Sequence, residues 1–201
     1  MRTTATREDL DDVILDAADR LLARYGYRKM TMEDLAHEVG IGKGTIYLHF
    51  RSKEDLVLSH IDRLISRLGE QLTQIARGQG PPAERLKQML VTRVLFRFDG
   101  VQHYTESLSD LLAAIRPALL VRRERHFEAE AQIFAEVLRE GQREGAFAAS
   151  SNAPAAARTL LLATNALLPY SLSPVELGHR RDVERAVTQI ADLMLDGLLR
   201  R

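Results

Sequence analysis

The stretch that decides the fold is residues 31–55, TMEDLAHEVGIGKGTIYLHFRSKED. Thr31 with Asp34 three residues on has the spacing of a helix-capping pair. Leu35, Ala36 and Val39 then fall on one face of a short helix that Gly40 ends. After a turn at Ile41 and Gly42, residues 43–50 read as a second short helix, and Ser52-Lys53-Glu54-Asp55 caps a third. Leu35, Ala36, Val39, Ile41, Ile46 and Phe50 are placed to pack on a preceding amphipathic helix, which makes this a helix-turn-helix unit.

Working outward, helical spacing continues in both directions and strand signals are almost missing, so the expected fold is all-α. Upstream, Thr6-Arg7-Glu8-Asp9 caps a helix carrying Leu10, Val13, Ile14, Ala17 and Leu21, with Gly26 as its stop. Downstream, Val57, Ile61, Leu64, Leu68, Leu72 and Ile75 keep one phase along a helix of roughly 35 Å, long enough to link two modules. Gly78-Gln79-Gly80-Pro81-Pro82 breaks the chain, and five more helical elements are expected beyond it. The first, with Leu86, Met89, Leu90 and Val94, should stop near Asp99-Gly100. The second covers about 104–115, Arg116-Pro117 forces at least a kink, and the third runs over about 117–143. The fourth, 153–168, is apolar on nearly every side. The last opens on the capping box Ser173-Pro174-Val175-Glu176 and carries Val183, Val187, Ile190, Met194 and Leu198 in a near-heptad seam. A helix pair with so much apolar surface is expected to pair with a second copy of the chain.

Composition narrows the function. Of 201 residues, 45% are hydrophobic and 28% charged, which excludes a disordered or collagen-like chain. Cysteine is absent, which removes disulfides, thiolate nucleophiles and Cys-based zinc sites. The start of the sequence runs from Met1 into Arg7-Glu8-Asp9 without an apolar segment, and the apolar stretch near 160–172 is interrupted by Thr164, Asn165 and Pro169. The expectation is a cytoplasmic protein without a membrane partner. No histidine pair has metal spacing with an acidic partner, so neither a metal nor a cofactor is expected. No strained nucleophile turn gathers Ser, His and Asp, and no strand precedes Gly42 and Gly44, so a hydrolase triad and a dinucleotide site are both disfavoured. The chain does not read as an enzyme.

Lys+Arg and Asp+Glu balance at 28 each, which argues against an indiscriminate polyanion binder. The balance is uneven along the chain. Residues 20–53 hold seven basic residues and three acidic ones, so the remainder carries an acidic excess of four. The basic segment contains the helix-turn-helix unit, whose second helix has the width to enter a DNA major groove. Each residue outside its packing face suits that groove. Gly44 lets the backbone approach closely, and Thr45 has a hydroxyl for a base edge and a methyl for a thymine. Tyr47 and His49 can donate to phosphates, Lys43 can reach a guanine edge or a phosphate, and Leu48 can touch a thymine methyl. The capped helix starts at Thr31 and Ser52 offer amide donors to phosphates, with Lys53 beside the second.

At these residues the sequence resembles the TetR family of bacterial transcriptional regulators. The resemblance lies in Gly40-Ile41-Gly42-Lys43-Gly44-Thr45-Ile46-Tyr47-Leu48-His49-Phe50 and Ser52-Lys53-Glu54-Asp55-Leu56, with Ile14, Ala17, Ala18, Leu21, Tyr25, Gly26, Thr31, Leu35 and Ala36 upstream. It implies that Lys43, Thr45, Tyr47 and His49 contact DNA and that Lys53 holds a phosphate. It also implies a DNA-binding domain over 1–52 and a helical ligand-binding and dimerisation domain over 53–201, with a homodimer built through the last two helices.

On that reading the chain is a regulator, a repressor of a palindromic operator released by a small, largely apolar effector. Candidate effector contacts are Met89, Arg93, Phe96, His103, Tyr104, Phe127, Asn165 and Tyr170, which concentrate aromatic and polar groups near a helix break. Each also reads as ordinary core or surface. Asn165 stands out because a buried amide in so apolar a helix needs a partner, across a dimer interface or on a ligand. Two rival readings stay open: a helical small-molecule-binding protein or enzyme without DNA binding, and an adaptor whose last helices bind another protein.

Overall fold

The structure, a computed structural model, describes residues 7–102, 108–149, 152–169, 173 and 175–198. Among them are eight helices: α1 (Arg7–Lys29), α2 (Met32–Val39), α3 (Lys43–His49), α4 (Lys53–Ala76), α5 (Pro82–Val101), α6 (Leu108–Arg143), α7 (Ala153–Asn165) and α8 (Arg180–Asp196). They fall into two compact units. One comprises residues 1–64 and 103–120, the other residues 65–102 and 121–201.

The division into compact units falls inside α4. The physical reason is burial: Leu56, Val57 and Leu58 of α4, with Leu111 and Ile115 of α6, complete the amino-terminal core around Ile14, Leu22, Leu35 and Ile46. Helices α4 and α6 therefore each contribute one end to either unit.

Local chemistry explains the first unit. The helical run of α1 is interrupted at Gly26, whose φ of 74° and ψ of 165° are not helical, and resumes for one turn to Lys29. At the start of α2, the Asp34 amide donates to Thr31 Oγ1 at 3.1 Å and the Thr31 amide donates to Asp34 Oδ2 at 2.9 Å, a complete capping box. Gly40 ends α2 in the left-handed region at φ 76°, where a side chain would be strained, and its amide donates to the Ala36 and His37 carbonyls. Leu35, Ala36, Ile46 and Phe50 are buried as the periodicity requires, and Val39 and Ile41 pack against them.

In the second unit α5 packs on α7 and α8, and α7 on α8. Its core joins Leu86, Met89, Leu90 and Val94 of α5 to Phe134 and Leu138 of α6, Leu160 and Leu161 of α7, and Val187 and Ala191 of α8. Arg85 lies buried at its edge, donating to the Ala76 carbonyl at the end of α4 at 2.6 Å and to the Glu140 carboxylate. That guanidinium holds the Glu140 carboxyl below its ordinary value.

Two local expectations are corrected. Residues 108–143 form one helix with Pro117 inside it, not two helices meeting at a kink. One missing backbone donor is outweighed because Leu111 and Ile115 before it and Ala131, Phe134 and Leu138 after it are each anchored in a core. The Ser173 cap forms, with the Ser173 amide donating to Glu176 Oε2 at 2.7 Å, but it closes one turn and not the last helix. Gly178 at φ 76° stops that turn, and α8 begins at Arg180.

Candidate nucleic-acid interface

The helix-turn-helix displays α3 on the short scaffold of α1 and α2. Ile46 and Phe50 anchor α3 in the core, which leaves Lys43, Gly44, Tyr47 and Leu48 exposed and Thr45 half-buried. Tyr47 retains 45% of its surface and Leu48 75%, large values for side chains that burial would favour. A side chain added at Gly44 would meet nothing within 4 Å, so this backbone lies open to close approach from outside. Lys43 Nζ reaches Glu33 Oε2 at 3.3 Å, an exposed pair that exchanges readily for a phosphate oxygen.

Three of the expected contact residues have partners within the protein. Lys53 does not project its ammonium freely. Nζ donates to the Tyr27 carbonyl at 2.7 Å and the Met30 carbonyl at 3.0 Å, and it lies 4.4 Å from the centre of the Tyr27 ring. This cation closes the end of α1, where carbonyls lack helical donors, and burial pushes its pKa down. His49 Nδ1 lies against the Asp11 carboxylate, and its side chain is only 10% exposed, so α3 ends in a tether to α1. Thr31 is exposed, but its amide and hydroxyl both serve the Asp34 carboxylate. Those bonds hold the Asp34 carboxyl below its ordinary value of 3.8. Asp34 thus already occupies the first donor that a phosphate would use at α2.

The spacing of Thr31 and Asp34 marks the capping pair in the sequence, but nothing local marks Asp11, which lies 38 residues before His49.

The expected effector residues are not gathered into one open cavity among the described residues. His103, Tyr104 and Tyr170 lie outside the described residues. Met89 is packed core, and Phe96 and Phe127 are partly buried against it. Arg93 is buried and donates to Glu130 Oε2 at 2.6 Å and to Asn165 Oδ1 at 3.0 Å. Asn165 therefore has a partner within its own unit. A surface depression of about 560 Å³ lies instead among Glu136, Arg139, Gln142, Arg143 and Ala149. None of the expected effector contacts lines it.

The last two helices hide more than their sequence suggests. α7 buries Ala157, Leu160 and Leu161, and α8 buries Val183, Val187, Ala191 and Leu195, leaving Leu162 and Leu193 as their large exposed apolar side chains. No described helix is long and apolar enough to cross a membrane, and no group of three His, Asp or Glu among the described residues is placed to hold a metal ion.

Residues 14–59 match the family model for bacterial regulatory proteins of the tetR family. The chain is 35% identical over 83 residues to an uncharacterized HTH-type transcriptional regulator of Haemophilus influenzae, a match covering 41% of this chain and 44% of that one. It is 28% identical over 166 residues to the HTH-type transcriptional repressor BepR of Brucella suis, covering 80% and 79%. The first three curated relatives are matched over 44%, 27% and 38% of their own length, less than half in each case. The fold extends further: a transcriptional regulator from Cytophaga hutchinsonii superposes with a TM-score of 0.79 at 22% identity, over 94% of this chain and 98% of that one. The helix-turn-helix geometry, the motif match over it and the shared all-helical fold agree: residues 14–59 match the TetR family of bacterial regulatory proteins, and the chain as a whole shares the fold of solved transcriptional regulators.

Proposed function

We propose that this chain is a ligand-responsive DNA-binding transcriptional regulator that binds a palindromic operator as a homodimer. The observation that carries the reading is the exposed face of α3, where Lys43, Gly44, Tyr47 and Leu48 stand outside a core that anchors Ile46 and Phe50. Lys43, Thr45 and Tyr47 contact bases and phosphates, the Gly44 backbone approaches the duplex, and Leu48 meets a thymine methyl. Thr31 and His49 set the pose of α2 and α3. Two such heads on a twofold axis read half-sites about 34–36 Å apart. Leu162 and Leu193 support a homodimer through the last two helices.

The name of the Brucella relative, a repressor, favours repression. A small, largely apolar effector that binds the DNA-incompetent arrangement more tightly weakens DNA binding by the same coupling free energy. Helices α4 and α6, each with an end in either unit, are the elements able to carry that coupling.

The test is selection of bound duplexes from a random pool by the full chain, with Tyr47→Ala as control. Wild type should enrich a palindrome and the variant should not; enrichment of no palindrome by wild type removes the reading. On the selected duplex, Lys43→Ala should lower the salt slope by about one. Lys53→Ala should leave the slope unchanged because its ammonium is held on carbonyls. A fall of about one for Lys53→Ala would return it to a phosphate.

A further inference from the structure

Helix α3 is seven residues long, too short to stand on its own hydrogen bonds, and Gly42 gives it no side-chain cap. Its pose therefore depends on what holds it from outside. Ile46, His49 and Phe50, spaced three and four apart, share the face turned to the rest of the unit. Ile46 and Phe50 are buried and apolar. Apolar burial has no direction, so it fixes the depth of a short helix better than its rotation. His49 supplies the direction. An ionised carboxylate only accepts, so the Nδ1–H of His49 donates to Asp11 Oδ1 on α1. Asp11 stands on a fixed support: Ile14 and Leu15, one turn on, are buried, and Arg63 of α4 donates to the Asp12 carboxylate at 3.0 Å and pairs with that of Asp16 at 2.7 Å.

We infer that Asp11 is a positioning residue for DNA recognition, which acts through His49 to set the rotation of α3 and does not itself touch the duplex. This rests on the DNA-binding reading above and deepens it. A rotation of about 20° moves a side-chain tip that lies about 5–6 Å from a helix axis by roughly 2 Å. That exceeds what a hydrogen bond to a base edge tolerates, so a loosened α3 loses discrimination before it loses general attraction to DNA. The sign of the effect is diagnostic. Removing an acidic side chain from a chain that binds a polyanion strengthens binding by charge alone, whereas removing the tether weakens it.

The experiment uses the full chain, first without DNA and then with it. Side-chain nitrogen NMR at about pH 8, above the ordinary imidazole range, should show a protonated Nδ1 at His49. Asp11→Ala should move that signal toward an unprotonated nitrogen. The Asp11 side chain is 38% exposed, so the variant should keep its fold, which urea unfolding checks. On the palindrome selected above, Asp11→Ala should bind about tenfold more weakly, with affinity for a scrambled duplex and the salt slope unchanged. Asp11→Asn, which keeps an acceptor oxygen, should lie between. Asp11→Ala combined with His49→Gln should bind no more weakly than His49→Gln alone. An Nδ1 signal that is unprotonated in the wild type or unmoved by Asp11→Ala would overturn the inference. So would unchanged or tighter binding of the palindrome by Asp11→Ala, an equal loss on both duplexes, or additive losses in the double variant. Selection of no palindrome while the DNA-free signal holds would instead remove the regulator reading, and the role of Asp11 in recognition with it.

Discussion

Each unit holds ion pairs of a kind that shows what burial does to charge. In the amino-terminal unit the pairs Arg20–Glu38 and Lys43–Glu33 are exposed, and each contributes on the order of 0–1 kcal/mol. Such groups can leave a protein partner for a nucleic-acid one at little cost. In the second unit Arg93 and Glu130 are sealed in the core, where a lost partner leaves a charge in a medium that solvates it poorly. The contrast is between a surface whose ion pairs part at little cost and an interior whose ion pair is fixed in place.

Substitutions can break or sharpen this contrast. The largest effect is expected for Glu130→Ala, which leaves Arg93 buried and beside a second cation. It should destabilise by about 3–5 kcal/mol in urea unfolding, with Glu130→Gln retaining part of that loss through its hydrogen bonds. A loss below about 1 kcal/mol for Glu130→Ala would mean the cluster is solvated and the contrast false.

Thr31→Ala should cost about 1 kcal/mol near neutral pH by removing a cap from α2. The Asp34 carboxyl is held below its ordinary value chiefly by the Thr31 side-chain bond and then by its backbone bond. Its contribution is therefore complete above that ordinary value and is lost as the pH falls through the lowered folded one. The gap between wild type and Thr31→Ala should narrow on acidification below about pH 4. A gap that widens there would show that Asp34 does not act through Thr31.

Leu48→Ala should have the smallest effect on stability, within about 0.5 kcal/mol, because the side chain is 75% exposed. It should still alter the duplexes selected by the chain. A large loss of stability would place Leu48 inside a contact within the protein and remove it from the recognition face.

Legibility in the sequence followed distance along the chain. The Thr31–Asp34 box, the Gly40 stop and the anchoring of α3 by Ile46 and Phe50 all rest on spacings of a few residues. Asn165 could be marked as needing a partner, yet nothing in its neighbourhood named Arg93, which lies 72 residues away. His49 and Lys53 were legible as polar residues near the recognition helix, but not by the partners they take within the protein. Their neighbours at Asp11, Tyr27 and Met30 come from α1 and the turn after it, which local spacing does not report.

The sequence by itself determined the all-helical class, the helix-turn-helix and the residues available to its recognition face, because helix period and capping act over one or two turns. Only the tertiary structure decided that Pro117 sits inside one helix, that Lys53 closes the end of α1 and that Arg93, Arg97, Glu130 and Asn165 share one cluster. Those outcomes depend on which distant groups are buried together, and burial sets the cost of a missing hydrogen bond or an unpaired charge.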